Sequence, residues 1–227
     1  MKRLCRAATA PHQRVLPTNA LVHVTFYTSD SSTVFSLLTA LRTPKARGPL
    51  EPLNQLGLIV DHERLWPRLV LGGPTLSMMR DAVAAIATYY TQVVVEGVVD
   101  LAWLRRVLHP AAEIEWRYMP GEESWEMENA PALDIDAWYG EWSTFRITRV
   151  VFAGEIDLPQ QMVAALPTLV HLIGMVVKET GVPSIADIVA FVATSKLTEL
   201  HLHLLYDDRD MVDADAMTPS MLRHLVE

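Results

Sequence analysis

Apolar residues along the chain fall into short runs with a spacing that keeps returning. Two stretches read L-x-x-L-x-L: Leu53-Asn-Gln-Leu56-Gly-Leu58 and Leu197-Thr-Glu-Leu200-His-Leu202. Leu21–Phe26, Tyr90–Val95 and Ile147–Phe152 keep that register with other apolar side chains, Ala111–Trp116 and Leu169–Gly174 keep it more loosely, and Met221–Val226 opens a further copy. On a strand, alternate side chains share a face, so the fourth and sixth positions of each copy point inward and the residues between them point outward. Segments with helical spacing lie between the runs. Ser32–Leu41 sets Val34, Leu37, Leu38 and Leu41 on one face behind Ser31 or Ser32 as cap, and Thr75–Tyr89 does the same with Met78, Met79, Val83 and Ile86. Val99–Leu108 carries Asp100 early and Arg105 and Arg106 late, which suits the helix dipole. Ser184–Thr194 and Leu158–Leu166 are further helix candidates.

Strand alternating with helix predicts an α/β fold with parallel strands. L-x-x-L-x-L is also the strand signature of leucine-rich repeats, so the expected architecture is an irregular leucine-rich-repeat solenoid with outer helices. The alternative is a doubly wound α/β domain, whose strands read as unbroken Val/Ile runs. Copies starting at 21, 53, 90, 111, 147, 169, 197 and 221 are 21 to 37 residues apart, a scatter that needs insertions. Residues 1–19 are expected to form a basic, poorly ordered leader and 20–227 a single domain, with a long acidic, Trp-rich insert at about 120–142.

Composition narrows the function classes. Half of the 227 residues are apolar and 20% are charged, which excludes wholesale disorder. The net charge of −8 argues against a general nucleic-acid binder. A single cysteine, Cys5, excludes a disulfide framework and a Cys-rich zinc module. The charge is unevenly spread: residues 1–50 hold Lys2, Arg3, Arg6, Arg14, Arg42, Lys45 and Arg47 against Asp30 alone. An Arg-rich, acid-poor start also fits a transit peptide. Met162–Val177, the most apolar stretch, is interrupted by Pro167, Thr168 and His171 and is shorter than the roughly 20 residues of a membrane span. The expected location is cytoplasmic or nuclear.

The stretches LVHVTFYTSDSSTVFSLLTALRTPKARGPLEPLNQLGLIVD and SKLTELHLHLL, with the Trp66-Pro67 dipeptide, resemble the leucine-rich region of fungal F-box-type proteins. That resemblance implies a substrate receptor of a ubiquitin ligase, joined through F-box helices to a Skp1-like adaptor. No F-box is identified ahead of the first copy at Leu21, so the adaptor is expected only if an F-box is present elsewhere.

No G-x-S-x-G, P-loop, H-E-x-x-H or dinucleotide-binding glycine pattern occurs. The expectation is therefore a non-enzymatic module without cofactor or metal, binding a protein on its strand face. The strand register puts His23, Thr25, Gln55, Glu96, Glu113, Glu115, Arg117, Arg149, Glu199, His201 and His203 on that face. Acids outnumber bases in this set, which suggests a basic partner. His171, placed beside Glu199, His201 and His203, would also make a metal-binding group, but a polar recognition surface is the reading adopted. Glu113–Trp142 holds nine acids against Arg117 alone, and four of the six tryptophans. Within it, Trp125, Trp138 and Tyr139 are candidate anchors for a basic peptide or protein, or else the aromatics of a lid whose rings are buried. The alternative function is a small α/β enzyme using this insert as an active-site lid.

Overall fold

In a computed structural model the described residues are 18–73, 79–117, 134–153, 160–178 and 191–203. The copy at Met221, the acids from Asp207 to Asp215, Cys5, Met78, Trp125 and most of the insert lie outside them. The chain enters through a helical segment: α1 (Thr18–Phe26), α2 (Ser31–Ala40), α3 (Pro44–Arg47), a 3-10 turn (Gly48–Leu50), α4 (Glu51–Leu56) and α5 (His62–Leu65). Three of these starts are capped by a side chain. Asp30 caps α2 by accepting from the Thr33 backbone N–H at 2.7 Å, Thr43 caps α3 through Ala46 N–H, and Asp61 caps α5 through Glu63 N–H. The first two expected strand copies, at Leu21 and Leu53, are thus helices, and His23, Thr25 and Gln55 sit on α1 and α4 rather than on a strand face. Thr25 is fully buried, with its hydroxyl donating back to Leu21 O at 2.9 Å.

Strands then alternate with helices: β1 (Leu69–Leu71), α6 (Arg80–Ala87), β2 (Gln92–Glu96), α7 (Leu101–Val107), β3 (Glu113–Arg117), α8 (Ile135–Trp142), β4 (Ile147–Ala153), α9 (Gln160–Ala165), β5 (Gly174–Lys178) and β6 (Glu199–His203). All six strands are parallel, and their spatial order is their chain order. A doubly wound sheet reverses its strand order at a switch point and carries helices on both faces; this sheet, among the described residues, does not reverse. The helices follow the same progression, α4 packing on α6, α6 on α7, α7 on α8 and α8 on α9.

One row of six buried apolar residues runs through the ladder: Leu71, Val95, Trp116, Val150, Met175 and Leu200. These belong to a single core with Val83 and Ile86 of α6, Leu101 and Leu104 of α7 and Trp138, Tyr139 and Trp142 of α8. Val94 and Val176 are also buried, but they point the other way and lie outside that core. Among the described residues, the core therefore fills one side of the sheet. Aromatic edges close it where the helical segment meets the strands: Phe26, Trp66 and Tyr90 meet in T-shaped pairs, the Trp66 Nε1–H donates to Thr28 O at 2.7 Å and the Tyr90 hydroxyl to Leu65 O at 2.7 Å.

Two strand positions differ from the sequence reading. β1 has no counterpart in it, because the Leu69-Val-Leu71 run before Gly72-Gly73 is only three residues long. β5 begins at Gly174, so the copy read from Leu169 starts three residues later, at Leu172, and His171 lies in the preceding turn rather than on a strand. With these corrections five of the six strands follow an apolar or small residue three positions before the first inward side chain; at β4 that residue, Ile147, already lies in the strand and packs inward opposite Ile114, with Val150 the next inward side chain. The units start at Trp66, Tyr90, Ala111, Ile147, Leu172 and Leu197.

Candidate functional site

The side of the sheet opposite the core is the one surface to which every strand contributes. Its central row reads Val70, Val94, Glu115, Arg149, Gly174, Glu199, and the next row toward the strand C-termini reads Glu96, Arg117, Val151, Val176, His201. The alternation that buries Ile114 and Trp116 of β3 turns Glu113, Glu115 and Arg117 outward. A β-bulge between β3 and β4 breaks the ladder: Ile114 pairs with Ile147 and Glu115 with Arg149, leaving Thr148 as the extra residue. Bulges re-aim the side chains that follow them, and here the next residue is Arg149.

Arginines tie the carboxylates of this face. Glu115 is held twice, by Arg68 at 2.9 Å and by Arg117 at 2.6 Å, and the Arg68 link spans β2. Arg64 pairs with Glu96 at 2.6 Å, Arg146 with Glu113 at 3.3 Å and Arg149 with Glu199 at 3.7 Å. The last pair reaches across β5, where Gly174 stands between them; a Cβ there would come within 3.3 Å of Glu199 Oε2 and 3.4 Å of Arg149 Cγ. A groove of about 190 Å³ opens over this region, lined by Arg68, Glu113, Glu115, Arg149, Gly174 and Glu199 among others.

The structure thus brings together Glu96, Glu113, Glu115, Arg117, Arg149, Glu199 and His201, and it places His203 on β6. His23, Thr25, Gln55 and His171 are not part of the surface. Trp138 and Tyr139 are core residues, 6% and 2% exposed, stacked edge-on with Trp116 and Trp142; the Trp138 Nε1–H donates to Val99 O. In that position their rings are not presented to a partner, and burial holds the Tyr139 hydroxyl protonated well above its ordinary range. Arg64, Arg68 and Arg146 escape a strand-pattern reading because they precede the strands. A base directly ahead of an apolar run, as at Arg68-Leu69 and Arg146-Ile147, is the signal that marks two of them. With these arginines the face has no excess of acid. No group of three or more His, Cys, Asp or Glu side chains among the described residues is arranged to hold a metal ion. No helix among the described residues is long and apolar enough to cross a membrane.

No protein-family model matches the chain, and no curated protein or solved structure matches it either.

Proposed function

We propose that this chain is a non-enzymatic protein-interaction module, an irregular leucine-rich solenoid whose strand face binds a protein partner. The observation that carries the reading is the chain-ordered parallel sheet, whose core among the described residues lies on one side. A solenoid presents such a face as an extended binding surface. Repeat spacing adds support: the units at 66, 90, 111, 147, 172 and 197 are 21 to 25 residues apart except where the insert lengthens one, within the 20 to 29 residues of leucine-rich repeats. The enzyme alternative draws less support, since the groove is open and its carboxylates are each opposed by an arginine.

The resemblance to F-box-type ubiquitin ligase receptors gains a physical footing from the helical segment. With the first strand at Leu69 rather than Leu21, a helical segment, α1 to α5, precedes the sheet, which supports reading it as adaptor-binding helices. Val24, Tyr27, Leu58 and Ile59 are exposed on this segment, Tyr27 by 91%. Large apolar side chains left in water on one segment suit a docking side, here toward a Skp1-like adaptor.

The test is affinity capture from a eukaryotic lysate with the full chain, Val151→Arg on the strand face and Tyr27→Asp in the turn after α1. The expected result is two separable losses: Val151→Arg loses the strand-face partner and Tyr27→Asp loses an adaptor with its cullin. An identical set captured by all three proteins overturns the proposal.

A further inference from the structure

The ion pairs of the strand face are not equally closed. Glu115 has both carboxylate oxygens engaged by arginine. Arg64 and Arg146 likewise donate hydrogen bonds, to Glu96 and Glu113. Arg149 differs: among the described residues its one opposing carboxylate is Glu199, 3.7 Å away, beyond hydrogen-bond reach, on the last described strand and about half exposed. Its planar fork of donors is therefore unfilled by any described residue, at the edge of a groove whose floor has no side chain at Gly174.

Charge gives the ligand's sign. The groove is lined by Arg68 and Arg149 against Glu113, Glu115 and Glu199; Arg117 and Arg146 pair with Glu115 and Glu113 from beside it, and with these two counted cations exceed acids by one among the described residues. A lysine or arginine entering beside Glu199 would face Arg149 and find Glu113 and Glu115 already occupied. A carboxylate entering over Gly174 meets a guanidinium able to bind it in two-pronged fashion. The chain's net charge of −8 acts over longer distances and is screened beyond about 8 Å at physiological ionic strength.

We infer that Arg149 is the anchor of the strand-face site and receives a carboxylate side chain from an extended acidic stretch of the protein partner. The incoming group takes the space over Gly174 and displaces Glu199 as the counter-charge. This inference rests on the strand face being a protein-binding surface.

The test follows the Arg149 side-chain Nε–H signal by NMR in the full chain, assigned through its loss in Arg149→Lys. Three blocked pentapeptides, Val-Thr-X-Thr-Val with Glu, Gln or Lys at X, are titrated in turn. The Glu peptide is expected to shift the Arg149 signal and to bind about fivefold tighter than the Gln peptide, the upper end for a half-exposed ion pair. Glu199→Gln tightens the Glu peptide further, and Arg149→Lys removes most of its advantage over Gln. Equal binding of Glu and Gln peptides, preference for Lys, or no shift with any peptide overturns the inference. If these peptides fail while Val151→Arg still loses a captured partner, acid recognition falls and the strand-face reading stands; if Val151→Arg loses nothing, that reading itself falls.

Discussion

Gly57 and Gly174 show a missing side chain used in two ways. At Gly57 a Cβ would overlap the ring of Phe35, so the glycine lets α4 end against α2 and leaves Phe35 stacked on His62 with ring centroids 3.7 Å apart. At Gly174 the freed space lies on the surface and serves the groove. Asp30 shows how one carboxylate fixes a helix start. The Thr33 hydroxyl, then the Ser32 hydroxyl and the Thr33 backbone N–H, hold its pKa at about 2, below the ordinary 3.8. Because the folded value is the lower one, its stabilisation is present above pH 3.8 and is lost as the pH falls through about 2. The difference in melting temperature between the native chain and Asp30→Ala is therefore expected to be widest above pH 4 and to narrow toward pH 2; a difference that grows on acidification would refute the capping role.

The elements show which part of the pattern was legible. Alternation read β2, β3, β4 and β6 correctly; in the first three both inward positions are large and buried, as with Val93 and Val95, Ile114 and Trp116, or Val150 and Phe152, and in β6 Leu200 is buried. In the copy at Leu21 the fourth position, Val24, is exposed and the sixth, Phe26, packs on the core from α1, whereas the copy at Leu53 fails for a reason intrinsic to the spacing. Positions one and four of L-x-x-L-x-L are three apart, which also suits a helix face, so Leu53 and Leu56 are buried from α4. Only the sixth position separates the two forms, and Leu58 is 80% exposed. The site was legible where it depended on alternation, at Glu113, Glu115, Arg117 and Arg149. It was not where it depended on loops or on a strand start, at Arg64, Arg68, Arg146 and Gly174. β1 depends on a detail of the same kind: a Cβ on Gly72 would lie 2.6 Å from Glu96 Cβ and 3.1 Å from the Glu96 carbonyl oxygen. Gly72→Ala is expected to push β1 from β2 and cost about 1–3 kcal/mol, the range for overpacking a closed site. Urea titration measures it, and an unchanged midpoint would show that the strand edge yields freely.

For the whole molecule, chain-ordered strands and chain-ordered helices mean that most long-range contacts join adjacent units. Stability in such an array is close to a sum of unit and nearest-neighbour terms. Leu200→Ala, at the far end of the buried row, removes a side chain 2% exposed and is expected to cost about 2–5 kcal/mol. Hydrogen exchange should rise in β5 and β6 and stay unchanged in β1 and β2. Uniform loss of protection across all six strands would mean that the sheet opens as one body. The exposed ion pairs of the strand face add little to this stability, so charge changes there are expected to leave folding nearly unchanged.

Strand order also bears on how such a chain changes over generations. In a sheet with a reversed order, a new strand must be threaded between existing partners. Here a duplicated unit of some two dozen residues, copied within its own gene, would meet at each flank the same kind of neighbour its template had. The recognition face would lengthen by one strand without reworking the rest. Length is then a heritable variable, and so is the spacing between Arg149 and the arginines nearer the helical segment.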